Sequence, residues 1–348
     1  MGEAPSADAG SGAVSRADAV RHPFVAHLAL WRPFTLLPPL LGILSGAICA
    51  WGSAHNPDPA RRVTGAVLVT ILLGSLGAAA MNAASNIVNQ IADLEIDREN
   101  KPDRPLVTGE VSLGTAWRVA WLLYAFSLLP TWFVVPYPRV SFQERLTAPI
   151  VEHACFFIYA AGALATFVYS FPAFGRTKRH WFWANFTIAS TRGTLLKVAG
   201  WSFVATVGAW EAWTLGGIFG FFLLGATSTK DFSDMKGDAL HGCITLPVRF
   251  GVPRAARLMA PFFVLPWVAL SLLVFAHDPA HPPQALLTGN RRLLFGLGLL
   301  LAAWGAYAVS LILRDPEALA STENHPAWRH MYLMLMSAQI GLALAYVV

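Results

Sequence analysis

Runs of about twenty apolar residues recur along the chain, and a run of that length has few ways to fold. As a helix rising ~1.5 Å per residue it crosses a hydrocarbon core ~30 Å thick. Nine such windows stand out: 27–51, 65–92, 113–136, 150–171, 182–208, 211–230, 255–276, 292–313 and 329–348. In lipid only helices and closed barrels satisfy every backbone N–H and C=O, and windows this long and uniformly apolar are not barrel strands. Composition agrees, since 13% of the residues are charged and 55% apolar, against ~25% charged in a soluble domain. The expected fold class is all-α, a polytopic membrane protein built as a bundle of about nine transmembrane helices. Residues 1–22 are small and polar with no apolar stretch, and are expected to be a disordered tail rather than a signal peptide. Residues 23–348 are then expected to form one transmembrane domain.

Nine crossings put the two ends of the chain on opposite sides. With the N-terminus inside, seventeen Lys and Arg fall in inner segments and six (Arg61, Arg62, Arg139, Arg145, Arg291, Arg292) in outer ones. This is a positive-inside bias, so the N-terminus and the inner loops are expected to be cytoplasmic, and the membrane to be the plasma or inner membrane if the source is prokaryotic. The net charge of +5 is accounted for by that asymmetry and needs no nucleic-acid partner. The Pro-rich segment 277–290 is expected to be an outer loop. Cys49, Cys155 and Cys243 lack metal-ligand or disulfide spacing and read as packing residues.

One stretch does not fit its apolar surroundings: "NQIADLEIDRENKPDRP", residues 89–105. On a helix, Asn86, Asn89, Asp93 and Asp97 lie within roughly 80° of one another, in a single stripe, while Glu95 points away. Carboxylates one turn apart repel unless something positive sits between them. A solvated helix end would explain the acids alone. Asn86 and Asn89, however, carry the stripe back into the membrane, where polar groups are costly and usually functional.

A second stretch repeats the arrangement. "TSTKDFSDMKGDALHGCITLPVRFG", residues 227–251, ends the sixth window with Asp231, Asp234 and Asp238 on one face if the helix continues. Gly237 and Gly242 predict a helix break nearby. Both clusters fall on the same side of the membrane. Oxygen donors without His or Cys suit a hard cation, Mg²⁺ before zinc. Mg²⁺ takes one or two protein carboxylates together with substrate phosphates, so two such sites form a device for holding a diphosphate.

These motifs in this order resemble the UbiA superfamily of intramembrane prenyltransferases. The resemblance rests on Asn89-x₃-Asp93-x₃-Asp97, on the "KDxxDxxGD" from Lys230 to Asp238 with its "TLPVRFG" tail, and on "NKPDRPLVTGE" (100–110), "WRPFT" (31–35) and "YSFPAFGRTK" (169–178). It implies a bundle around a central cavity and an enzyme using two Mg²⁺ ions. Asn89, Asp93 and Asp97 would hold one ion, and Asp231, Asp234 and Asp238 the other. Arg32, Arg104, Lys178 and Lys230 would serve the diphosphate, with the choice between Arg176 and Lys178 open because the segment is one residue longer than in some branches. Tyr169 and Ser170 would line the reaction centre. Asn-Gln at 89–90 in place of Asn-Asp is similar to the homogentisate-prenyltransferase and chlorophyll-synthase-like branches, which implies an aromatic, quinone- or tocopherol-precursor-like acceptor.

Two charges sit inside the fifth window. Asn185 and Arg192 share a helical face and are expected to line an acceptor subsite. Lys197, about 140° round from Arg192, is expected to snorkel to the outer interface, with His180, His241 and Glu211 as further interface residues. The expected function is prenyl transfer from an isoprenyl diphosphate to a lipophilic acceptor in the bilayer. A terpene cyclase on the same scaffold would use the same acids. An ion-coupled transporter would place them near the midplane rather than at one membrane face.

Overall fold

A computed structural model of the protein describes residues 22–135, 141–322 and 325–348. The expected tail therefore lies outside the described residues except for His22, as do Arg16, Arg21 and Arg139 of the charge count. The described residues are almost all helical. Among them there is no strand, only isolated bridges between His180 and Ile244 and between His277 and Ala285.

In chain order the helices begin with α1 (Pro23–Trp31), α2 (Leu37–Gly52), α3 (Gly65–Ala92), α4 (Leu94–Asn100), α5 (Leu113–Leu128) and α6 (Phe142–Leu146). There follow α7 (Ala154–Ser170), α8 (Trp181–Ile188), α9 (Leu196–Ser202), α10 (Trp210–Ala226), α11 (Asp231–Leu240) and α12 (Leu246–Phe250). The chain ends with α13 (Val252–Met259), α14 (Leu265–Leu273), α15 (Arg291–Arg314), α16 (Pro316–Ser321) and α17 (Pro326–Val347). Several begin where a side chain takes over a free backbone N–H of the first turn. Thr64 accepts from Val67 N (3.2 Å) before α3, Ser112 from Thr115 N (3.2 Å) before α5, and Asn290 from Leu293 N (3.2 Å) before α15.

Six stretches are long and apolar enough to cross a membrane: Pro33–Gly52, Gly65–Ala92, Trp210–Leu240, Val252–Leu273, Arg291–Arg314 and Pro326–Val347. The other predicted windows coincide with shorter or interrupted helices. α5 passes into a 3₁₀ turn at Leu129–Phe133, α7 is a single apolar helix, and α8 reaches α9 through a π-helical segment, Ala189–Leu195. Length and composition thus support six crossings by themselves, not the full nine. Large apolar side chains face outward, among them Leu72, Trp121, Leu122 and Leu300, each more than half exposed, as expected where the solvent is lipid. This is an integral membrane protein.

Helices in lipid gain little from hydrophobic burial against one another and pack through small residues instead. α2 and α9 meet in this way: a Cβ on Gly46 would come within 2.6 Å of the Lys197 carbonyl oxygen and 3.0 Å of Gly200 Cα. Phe219 and Phe222 on α10 pack against Trp267 on α14, with ring centroids 5.8 and 5.0 Å apart, in the same buried cluster as Cys49 of α2 and Trp201 of α9. α10 continues through Thr227–Lys230 into α11, which runs unbroken past Gly237 to Leu240. Of the two glycines that marked the expected break, Gly242 makes it, with φ +70°, and Asp238 stays on the helix.

Candidate active site

A cavity of about 310 Å³ is walled by residues of α2, α3, α4, α7, the α8–α9 segment, α10–α11 and α17. Its polar end brings the two acidic stretches together. Asn86, Asn89, Asp93 and Asp97 line it from one side, and Lys230, Asp231, Asp234 and Asp238 from the other. Arg32, Arg104, Tyr169, Ser170, Lys178, Asn185 and Arg192 are also on its wall. Of the residues expected from the sequence, Arg176 alone is not on the wall; its Nη2 reaches Asp93 Oδ1 at 3.1 Å. From Asp93 the wall continues along α3 through Met81 to Ala78, and across to Ile43, Ile158 and Leu196. That is about 22 Å of helix at 1.5 Å per residue, polar at one end and apolar beyond.

The first stripe is not one regular helix. Asp93 has φ −102° and ψ 15°, ending α3 and preceding α4. Asp93 N still donates to Asn89 O (2.9 Å) and Asp97 N to Asp93 O (2.8 Å), so the stripe persists through the break. Asn89 lies beside Ser170, Nδ2 to Oγ 3.5 Å. Asp238 stays on the helical face of α11 and is buried.

Asp93, Asp97 and Asp234 each face a cation supplied from outside their own helix. Lys178 Nζ is 2.5 Å from Asp93 Oδ2, opposite Arg176. Arg104 donates to Asp97 Oδ2. Lys101 Nζ is 3.4 Å from Asp234 Oδ1. Burial works against the Lys178 ammonium, but the Asp93 carboxylate, with Tyr169 and Asp238, outweighs it and raises its pKa. Burial pushes the Asp97 carboxyl up, and Arg104 offsets only part of this. Arg32 and Arg192 differ from these: among the described residues neither guanidinium has a hydrogen-bond or ion-pair partner, although both line the cavity.

The sequence pattern hides how Arg32 is held. It adopts φ +57°, as Arg176 adopts +40°, and non-glycine residues in that region cost on the order of 1–3 kcal/mol and gather at functional sites. A ladder of amides on α3 fixes the turn around Arg32. Asn82 Nδ2 donates to Thr35 O (2.9 Å), Asn86 Nδ2 to Trp31 O (2.9 Å), and Gln90 Nε2 to Leu30 O (2.8 Å). Asn86 thus lines the cavity while its donor group is committed to the scaffold. Asn82, Gln90, Thr35, Asn100 and Lys101 were not singled out from sequence. The i, i+4, i+8 spacing of Asn82, Asn86 and Gln90 inside an apolar helix was the available signal.

Three expectations need correction. Lys197 does not snorkel: it is 1% exposed, and donates to Ser45 Oγ and Gln339 Oε1 with Nζ 4.7 Å from the Phe219 ring centroid. Buried partners on α2 and α17, absent from its own window, replace the interface. Glu211 is no interface residue either. It is fully buried and accepts from Ser53 Oγ (2.5 Å), Thr288 N (2.5 Å) and Tyr346 OH. The regular helix assumed between Asn185 and Arg192 is interrupted by the π-helical segment, yet both residues reach the cavity, Asn185 donating to Ser228 Oγ (2.7 Å). His180 is exposed and His241 half-buried.

Among the described residues no three His, Cys, Asp or Glu side chains form a ready-made metal cage, and no His or Cys lies on the cavity wall. Carboxylates and amides that need further oxygen donors to complete a shell are what Mg²⁺ uses when it binds with substrate phosphates. The donor set could hold such an ion and does not suit zinc.

Comparison with known proteins agrees with this architecture. The fold matches a solved structure of digeranylgeranylglyceryl phosphate synthase with a TM-score of 0.61 and 20% identity, covering 93% of this chain and 99% of that one. It also matches a UbiA homologue from Archaeoglobus fulgidus bound to GPP and Mg²⁺, with a TM-score of 0.61 and 19% identity over 93% and 100% of the two chains. By sequence, the chain is 25% identical to the bacteriochlorophyll synthase 34 kDa chain of Chloroflexus aurantiacus, over 92% of this chain and 90% of that one. It is 28% identical to a probable chloroplastic homogentisate phytyltransferase 2 of Oryza sativa subsp. japonica, over 60% and 52%. The sequence pattern of the UbiA prenyltransferase family matches residues 36–334, most of the chain, and the protein belongs to that family.

Proposed function

We propose that the protein transfers a prenyl chain from an allylic isoprenyl diphosphate to a lipophilic aromatic acceptor within the membrane, with two Mg²⁺ ions at the Asn89/Asp93/Asp97 and Asp231/Asp234/Asp238 clusters. The observation that carries this reading is the single cavity in which both acidic clusters meet cations at one end and an apolar arm leads away from them. The family membership supports the reaction class. The bound Mg²⁺ would neutralise charge that develops on the departing diphosphate. Lys178 and Arg104 would exchange their carboxylate contacts for phosphate oxygens, and Lys230 on the same wall would join them, charge-assisted bonds in a low-dielectric site where they count most. The apolar arm would hold the chain, gaining ~0.8 kcal/mol per buried CH₂, and would keep water from the allylic cation.

Among the described residues Arg192 and Arg32 have no hydrogen-bond or ion-pair partner, and Arg192 lines the cavity together with Asn185. A carboxylate-bearing acceptor would satisfy them. Relatives that include a homogentisate phytyltransferase and a 2-acylphloroglucinol 4-prenyltransferase of Humulus lupulus support an aromatic acceptor. With the basic loops inside, the polar end of the cavity would open toward the cytoplasm.

The test is product analysis of membranes supplied with candidate diphosphates and acceptors. Diphosphate release should require acceptor, and Arg192→Leu should weaken use of an acidic acceptor by about tenfold or more, the scale of a lost charged hydrogen bond, while slowing ionisation less. Stoichiometric diphosphate release with a cyclic hydrocarbon and no acceptor would decide for a cyclase instead.

A further inference from the structure

The two carboxylate clusters belong to different helices, and one of those helices is short. α4 has seven residues and is separated from α3 by the non-helical backbone of Asp93, and a helix that short is not stable unless it is docked. Its last residue, Asn100, makes the docking contact. Asn100 Oδ1 accepts from Gly237 N at 3.1 Å, and Nδ2 donates to the Asp234 carbonyl oxygen at 3.3 Å. One amide therefore holds two backbone groups of α11, each three residues from the other. Residue 237 must be glycine for this approach, because a Cβ there would collide with the Asn100 amide. The adjacent Lys101 adds its ion pair to Asp234.

We propose that Asn100 is a positioning residue that sets the separation of the Asp93/Asp97 and Asp231/Asp234 clusters by clamping α4 onto α11. The functional half of this proposal rests on the reading of the cavity as a diphosphate site. A diphosphate held from both sides needs both clusters at a fixed spacing, and an error of ~1 Å in placing reacting groups can cost about a hundredfold in rate. α3 cannot fix that spacing alone, since its helical backbone ends at Asp93. The Asn100 contact, seven residues on, supplies the second anchor.

The experiment uses the full chain in detergent, with spin labels at the exposed positions 98 on α4 and 236 on α11. Pulsed dipolar spectroscopy should give one narrow distance distribution in the parent protein and a broadened one in Asn100→Ala. Gly237→Ala should displace the distribution, and the Asn100→Ala/Gly237→Ala double variant should be no broader than Asn100→Ala, because loss of the amide makes room for the Cβ. Mg²⁺-dependent binding of inorganic pyrophosphate, read by calorimetry, should weaken about tenfold in Asn100→Ala, the effect of one or two lost hydrogen bonds. Unchanged distances in Asn100→Ala would overturn the clamp. Should that variant fail to fold, Asn100→Leu keeps the volume but can make neither hydrogen bond, and a narrow parent-like distribution there would overturn it equally. Broadened distances in a protein whose parent form binds no pyrophosphate would uphold the clamp and remove the diphosphate reading.

Discussion

Asp93 shows what a single residue in this cavity has to balance. It is 2% exposed and faces both Lys178 and Arg176, so removing its charge takes from two enclosed cations their ion-pair partner. Breaking a buried ion pair costs on the order of 3–5 kcal/mol. Asp93→Asn is therefore expected to lower the thermal midpoint in detergent, whereas Asp234→Asn, whose partner Lys101 is one-fifth exposed, should lower it little. Turnover should fall by at least about a hundredfold in both, in line with loss of a group that supports transition-state charge, and a chelator should abolish it until Mg²⁺ returns. Near-parent turnover in either variant would sink the two-metal reading. Lys197 poses the converse problem, a buried cation that meets neutral oxygens and an aromatic face. Ser45 Oγ already donates to Gln339 Oε1 at 2.6 Å, so Lys197→Met leaves those two satisfied by each other. Gln339→Leu strands the ammonium and should destabilise the protein more than Lys197→Met does. Thermal midpoints in the reverse order would show that the amine is not held as described.

At the scale of elements, two irregularities shape the cavity. One is the break at Asp93, which lets α4 turn its carboxylate toward α11. The other is the π-helical segment Ala189–Leu195, which packs on α10 so closely that a Cβ on Gly193 would come within 2.6 Å of Gly220 Cα and N. Those are backbone atoms and cannot rotate aside. Gly193→Ala is expected to cost about 1–3 kcal/mol by overpacking and to misplace Arg192 on the same segment. A lowered thermal midpoint together with a raised KM for acceptor would follow; an unchanged midpoint would mean that the two helices are not in this contact. The acidic stripes were legible in the sequence because helical periodicity survives a local break when the i→i−4 hydrogen bonds continue across it. The π-helical segment was not legible, since nothing in "ASTRGTL" specifies where one extra residue is absorbed.

For the whole molecule, the orientation expected from the basic loops is tested by accessibility. The three cysteines are free and buried, so an impermeant thiol reagent should find little background. Asp103→Cys and Leu240→Cys, near the polar end of the cavity, are expected to react from the cytoplasmic side, and Ala60→Cys and Ala280→Cys from the other. The reverse pattern would mean that the orientation drawn from the basic loops is wrong. Six stretches meet the length and hydropathy of a membrane crossing, and reaction of sites 103 and 240 from one side would require an odd number of crossings among the shorter α5, α7 and α8–α9 segment.

The sequence by itself determined the solvent, the helical class and the two carboxylate stripes, because each depends on residues near in the chain: apolar runs of membrane length, and polar side chains at helical spacing. It also carried the motifs that assign the family. Only the tertiary structure decided which partners those side chains meet. Lys197 and Glu211 look like interface residues in their own windows, and become buried ones because Ser45 and Gln339 in the first case, and Ser53, Thr288 and Tyr346 in the second, arrive from helices and loops far along the chain. Burying a charge in lipid is tolerable only with such partners. Likewise Asn100 reads as part of a loop motif in one dimension, and as the contact between α4 and α11 in three. Local periodicity tells where a polar group points, while the pairing that makes its burial affordable is long-range and is settled only when the bundle closes.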